Sequence, residues 1–166
     1  MFQAGELVVY GSTGVCRIQE IRCNPADRRK YYVLKPLYQS CTISAPVDSG
    51  KIFIRPILTR EEANALIDRL PTVSGEPCHN RSIQQLTEHY KAALESHDCM
   101  DLAELLKSIY MKKQNAVQQN RKLGSVDERF MKRAEELFFG ELSAALEIPP
   151  EEVHGYIAQR LNPEQN

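Results

Sequence analysis

The sequence predicts an α+β protein in two parts: a small, strongly bent β-sheet or barrel over residues 1–58, then a helical bundle of about five helices over residues 59–166. Three observations carry this. Short apolar runs in the first part are separated by Gly, Pro, Asn and Asp. From Thr59 onward, apolar residues recur at spacings of three and four behind helix-start signatures. The charge also changes sign between the parts: residues 1–58 hold eight basic and four acidic side chains, net +4, and residues 59–166 hold 13 and 18, net −5, within a 166-residue chain of formal net charge −1.

Leu7-Val8-Val9-Tyr10 reads as the first strand, Gly11-Ser12-Thr13-Gly14 as a turn, and Val15 to Ile21 as the second strand. Asn24-Pro25-Ala26-Asp27 is turn-forming and leads into a third strand, Tyr31-Tyr32-Val33-Leu34. Cys41, Ile43, Ala45 and Val47 alternate with polar or small residues, the period of a strand with one buried face, and Lys51-Ile52-Phe53-Ile54-Arg55 closes the set. So many short strands in so few residues predict an SH3-like barrel or bent sheet.

Thr59-Arg60-Glu61-Glu62 has the form of a capping box, opening a helix that runs to about Leu70 before Pro71. Ser82-Ile83-Gln84-Gln85 repeats the pattern ahead of Leu86, Tyr90 and Leu94. Asp98 or Asp101 caps a third helix with Leu102, Leu105, Leu106 and Ile109 on one face. Ser125-Val126-Asp127-Glu128 opens a long helix striped by Phe130, Ala134, Leu137, Phe138 and Ala145, and Pro149-Pro150-Glu151-Glu152 starts a short last one.

Several function classes are excluded by pattern. No run of about 18 apolar residues is present and the N-terminus lacks a signal-peptide pattern, so a cytoplasmic protein without membrane contact is expected. The five cysteines, Cys16, Cys23, Cys41, Cys78 and Cys99, are odd in number and lack a C-x-x-C pair, which reads as reduced and mostly buried thiols. Cys78, His79, His97 and Cys99 are zinc-type ligands, but the adjacency of Cys78 and His79 opposes a shared metal. Gly11 to Gly14 lacks the lysine and following helix of a P-loop, and no nucleophile elbow or Ser/His/Asp set is visible. No catalytic residue, metal, cofactor or small-molecule substrate is expected.

Phe2-x-x-Gly5-Glu6-x-Val8-Val9-Tyr10 with Gly14, Tyr32-Val33-Leu34-Lys35, Pro46-Val47-Asp48 and Ile54-Arg55-Pro56-Ile57 resemble the CarD/CdnL family, whose N-terminal module is shared with the RNA-polymerase-interacting domain of transcription-repair coupling factors. Ala134-x-x-Leu137-x-x-Gly140-Glu141-Leu142-Ser143-x-Ala145-Leu146 is similar to the family's closing helix, so the resemblance spans nearly the whole chain. It implies a bacterial transcription regulator, with a Tudor-like domain over residues 1–58 that docks on the RNA polymerase β subunit. It also implies a helical domain over residues 59–166 that touches promoter DNA at the upstream edge of the melted region. Many family members carry a tryptophan near the start of the second-domain helices, whereas this chain has none. Its place falls near His79 or Ile83.

The family's docking surface implies Ile43, Ser44 and Pro46 as polymerase-binding residues, on a strand whose alternation equally fits a core strand. Some relatives have an arginine where Ser44 stands. Arg28 and Arg29, with Lys30, form a basic hairpin tip that either meets an acidic patch on polymerase or is a solvated turn. Leu105 to Val126 carries Lys107, Lys112, Lys113, Arg121 and Lys122 with no Asp or Glu. Lys112, Lys113, Arg121 and Lys122, joined by Arg81 and Arg129, are the candidates for duplex phosphates, the alternative being a solvated charge run. Ile83 is either an apolar wedge in the minor groove or a residue packed in its helix's first turn. The competing function is a polymerase-bound adaptor that never contacts DNA.

Overall fold

The computed structural model describes residues 1–48, 50, 53–73, 75 and 82–163, and the chain divides into two compact units, Met1–Thr59 and Arg60–Asn166. The first holds strands β1 (Leu7–Tyr10), β2 (Gly14–Cys23), β3 (Lys30–Pro36), β4 (Ile43–Pro46) and β5 (Ile54–Pro56). They form one antiparallel sheet in the order β4-β3-β2-β1-β5, so β4 and β5 are its two edges. Together with the helices below, this is the α+β class the sequence predicts.

One face of the sheet carries the core. Val8, Tyr10, Cys16, Ile18, Tyr32, Leu34 and Ala45 are buried together, with Phe2, Ile21, Ile43, Val47 and Ile54 packed against them. Ile18 and Ile21 are three residues apart, a spacing that a regular strand would send to opposite faces. A register shift between Ile18 and Glu20 inserts one residue into β2, so both isoleucines face inward and the strand bends there. Burial pushes the Cys16 thiol up to about 11. The β2–β3 tip is tied by its own side chains: Asn24 Oδ1 accepts from the Ala26 amide at 3.0 Å, and Asp27 Oδ1 from the Arg29 amide at 2.9 Å. Asp27 Oδ2 accepts from the Tyr31 hydroxyl at 2.6 Å. This bond and the Arg29 amide hold the Asp27 carboxyl below its ordinary value.

The strand expected to start at Cys41 starts at Ile43. Cys41 is exposed in the β3–β4 loop, and Cys23 is exposed as well, so of the described cysteines only Cys16 and Cys99 are buried. The alternation is genuine only from Ile43 to Val47, where Ala45 faces the core directly.

The second unit holds α1 (Arg60–Arg69), a 3-10 turn at Leu70–Thr72, α2 (Ile83–Glu95), α3 (Cys99–Gln118), α4 (Ser125–Leu146), a 3-10 turn at Pro150–Glu152 and α5 (Val153–Leu161). Ser82 caps α2 by accepting from the Gln85 amide at 3.1 Å, and Asp98 caps α3 by accepting from the Met100 amide at 2.7 Å. α4 opens at Ser125 as the sequence predicts, with Gly124 at its N-cap. Asn120, at φ 55°, ends α3: the Arg121 amide donates to the Ala116 carbonyl at 2.7 Å and the Asn120 amide to that of Val117 at 3.1 Å.

Polar cross-links set helix direction. Lys112 meets Asp127, Tyr110 meets Glu135, and Cys99 meets Glu141, so numbers fall on α3 as they rise on α4 and the pair is antiparallel. Asn64 with Tyr156 and Asp68 with Arg160 rise together, so α1 and α5 are parallel. Tyr90, Ile109, Ala134, Phe138, Leu142 and Val153 fill the core between them. No described helix is long and apolar enough to cross a membrane.

Candidate functional site

In the first unit the informative feature is the difference between the two sheet edges. The Val47 amide donates to the Lys30 carbonyl at 3.0 Å, and the β3–β4 register pairs Ala45 with Tyr32 and Ile43 with Leu34. Hydrogen-bonded pairs alternate along an antiparallel ladder, so Ile43 and Ala45 turn their backbone groups toward β3, while Ser44 and Pro46 turn theirs away. Ser44 thus offers an amide and a carbonyl at an exposed residue; Pro46 offers a carbonyl alone. Ile43, placed among the partner contacts by sequence, has its side chain against the core and frames the edge from behind.

At the other edge, the same alternation turns Ile54 and Pro56 outward, because the Gly11 amide donates to the Phe53 carbonyl at 2.7 Å. Pro56 lacks an amide, and its carbonyl already accepts from Arg55 Nη1 at 3.1 Å. The two edges therefore differ by one carbonyl: a partner strand finds the Ser44 amide and carbonyl and the Pro46 carbonyl at β4, and the Ile54 amide and carbonyl alone at β5. Arg28, Arg29 and Lys30 are all exposed at the β2–β3 tip, with Arg28 at φ 57°.

In the second unit, three of the elements that carry the phosphate candidates end together. Tyr90 on α2, Lys112 on α3 and Asp127 on α4 meet: Lys112 Nζ lies 3.0 Å from Asp127 Oδ2, and the Tyr90 hydroxyl donates to Asp127 Oδ1. From this node Ile83 lies seven residues back along α2, about 10 Å of helix. Lys113 is the next residue on α3, Arg121 and Lys122 follow just beyond its end, and Arg129 lies two residues into α4. Lys113, Arg121, Lys122 and Arg129 are exposed, and no ion pair engages them among the described residues. Arg129 lies over the Phe130 ring at 5.0 Å. The N-termini of α2 and α4 point to this end and add partial positive charge.

Two assignments change. Lys112 is not a surface cation: its side chain is 18% exposed and its amine is paired to a carboxylate that is 5% exposed. Moving this amine onto a phosphate would strand the buried Asp127 carboxylate, which opposes its use as a DNA contact. Ile83 does not pack in its first turn, being 72% exposed. Met111 and Val117 are exposed on the same end of α3, at 41% and 62%. Arg81, with Cys78 and His79, lies outside the described residues. Among those described, no group of three His, Cys, Asp or Glu is placed to hold a metal, and the Cys99 thiol donates to Glu141 at 3.1 Å.

The Lys112–Asp127 pair escaped the sequence reading. The one available signal was Asp127 itself, the first acid after a long acid-free run and the third residue of α4.

A five-stranded sheet with an exposed β4 edge is followed by a helical unit whose exposed cations Lys113, Arg121, Lys122 and Arg129 gather at one end. Residues 2–58 match the CarD-like/TRCF RID domain family, and this unit is a domain of that family. The chain thereby carries an RNA-polymerase-interacting, transcription-related domain, with the helical unit lying beyond the matched residues. No curated protein matches the chain.

Proposed function

We propose that the chain is a bacterial transcription regulator that docks on the RNA polymerase β subunit by adding the β4 edge to a partner strand, and that it stabilises promoter complexes through the basic end of its helical unit. The observation that carries this reading is the open β4 edge on a CarD-like/TRCF RID domain. Ser44 supplies the outward amide and carbonyl, Pro46 limits the length of the added strand, and Arg28 and Arg29 steer encounter with an acidic surface. Held on polymerase, Lys113, Arg121, Lys122 and Arg129 meet duplex phosphates at the upstream edge of the bubble at high local concentration, so weak contacts suffice. Ile83, exposed among these cations, sits against the minor groove. The protein acts by binding, without chemistry of its own.

Two variants test the two halves separately. Ser44→Pro removes the outward amide and is expected to abolish capture of polymerase while the fold persists. Lys113→Glu combined with Arg121→Glu and Lys122→Glu is expected to leave capture intact and to remove the salt-dependent lengthening of open-complex lifetime. Retention of that lengthening in the triple variant refutes the DNA half.

A second reading has specific support. Lys112 is paired with Asp127, and Lys107 is half-buried against Val73 away from the basic end, so the acid-free run presents fewer surface cations than its sequence shows, in a unit of net charge −5. If tight polymerase binding leaves open-complex lifetime unchanged at every salt concentration, the chain is an adaptor on polymerase.

A further inference from the structure

The helical unit contains a cleft of about 280 Å³ between α3 and α5, floored by Leu106 and Phe138 and closed at one end by Leu70 and Val73. Lys107 and Tyr110 form one wall, and Phe139, His154 and Ile157 belong to the other. No Asp or Glu among the described residues lines it. The polymerase and DNA surfaces described above use none of these residues.

Lys107 is held in place there. A methyl group added at Gly75 would come within 2.5 Å of Lys107 Cγ, so the bare glycine backbone lies flat against the lysine stem. Its amine donates to the Val73 carbonyl at 2.6 Å, and no carboxylate pairs with it among the described residues. An ammonium has three protons and one is used. The result is a half-buried positive charge with unspent donors, fixed at the rim of an apolar cavity. His154, its ring 4.2 Å from that of Phe139, lines the cleft with an imidazole rather than a carboxylate.

The geometry points to a binding site for a small amphiphilic anion: a hydrocarbon chain or ring lying on Leu106 and Phe138, with a single carboxylate at Lys107. The volume sits at the lower end for ligand pockets, which restricts the ligand to a medium-length chain or one ring. Charge complementarity decides the head group, because a cation placed there would face Lys107 with no carboxylate among the described residues to receive it.

The test uses the full chain and three probes of equal length, octanoate, octanol and octylammonium, followed by amide chemical-shift titration. Octanoate is expected to bind at least tenfold tighter than octanol, octylammonium weakest, with shifts confined to residues of the cleft. Lys107→Met is expected to erase the octanoate-over-octanol preference, Lys107→Arg to retain it, and Ala158→Trp to abolish binding of all three by filling the cavity. The preference is read as a ratio on any variant that folds, so loss of stability does not mimic the result. Octanoate failing to bind at millimolar concentration, octylammonium binding equally well, or an undiminished preference in Lys107→Met overturns the inference. So does a change of oligomeric state in Ala158→Trp without octanoate binding, which would make the cleft a contact between copies of the chain.

Discussion

Replacing Lys112 by Met isolates the node at the basic end of the helical unit. The pair it breaks has an N···O distance of 3.0 Å and side chains only 18% and 5% exposed. An exposed ion pair is worth about 0–1 kcal/mol. Removing one partner of a buried pair costs about 3–5 kcal/mol, because the remaining charge is stranded away from water. Asp127 keeps the Tyr90 hydroxyl as a donor, which offsets part of that loss, so a cost of about 2–4 kcal/mol is expected. With a urea dependence of about 2 kcal/mol per molar, the unfolding midpoint of the helical unit falls by about 1–2 M. Lys113→Met, one residue away and exposed, should stay within about 0.5 kcal/mol. Lys112→Met combined with Asp127→Asn should recover much of the loss, since Asn still accepts from Tyr90 and no charge is left buried. Far-UV circular dichroism against urea measures all three variants. If Lys112→Met costs no more than Lys113→Met, the node is a surface pair and Lys112 returns to the DNA-facing cations.

Three further outcomes follow from the same structure. Glu147 ends α4 at φ 57°, so Glu147→Gly should relieve about 1 kcal/mol of left-handed strain and lose a few tenths from its exposed pair with Arg60; thermal unfolding should show a small net rise. A chromogenic disulfide reagent at neutral pH should modify Cys23 and Cys41 rapidly, and Cys16 and Cys99 only as the chain unfolds, with Cys16 further slowed by a thiol pushed up to about 11. The Asp27 carboxyl is held below 3.8 in the folded chain, so its contribution to the β2–β3 tip is complete above that pH and disappears as pH falls through the lowered value. Amide exchange at Arg29 should therefore accelerate in that acid window, and Asp27→Asn should flatten the response.

What could be read from sequence was governed by range. β1 occupies Leu7–Tyr10 as its apolar run predicts, and the caps at Ser82 and Asp98 lie within three residues of the amides they receive. Signals that depend on a neighbour misled or fell silent. The period of β2 breaks at its extra residue, which hides Ile21 from a period-two reading although it packs on the core. Cys41 continues the alternation of Ile43 and Ala45 in sequence, yet no strand receives it. Ser125 opens α4 as read, but nothing local shows that Asp127 turns inward to partners 15 and 37 residues away. The charge run from Lys107 to Lys122 was visible at once. That two of its members are committed to Asp127 and to the Val73 carbonyl depends on how three helices and a turn meet.

The shorter receptive stretch of the β5 edge bears on how large an assembly this protein can form by itself. A sheet with two receptive edges adds a copy on each side and grows without limit, the route to fibres. Here Pro56 and the guanidinium of Arg55 leave a second copy only the Ile54 amide and carbonyl on that side, so edge-to-edge self-pairing favours β4 and a symmetric pair. Any such pair hides the Ser44 groups, which makes self-association and strand addition to a partner mutually exclusive. The concentration of free chain would then set how much of it is available for docking.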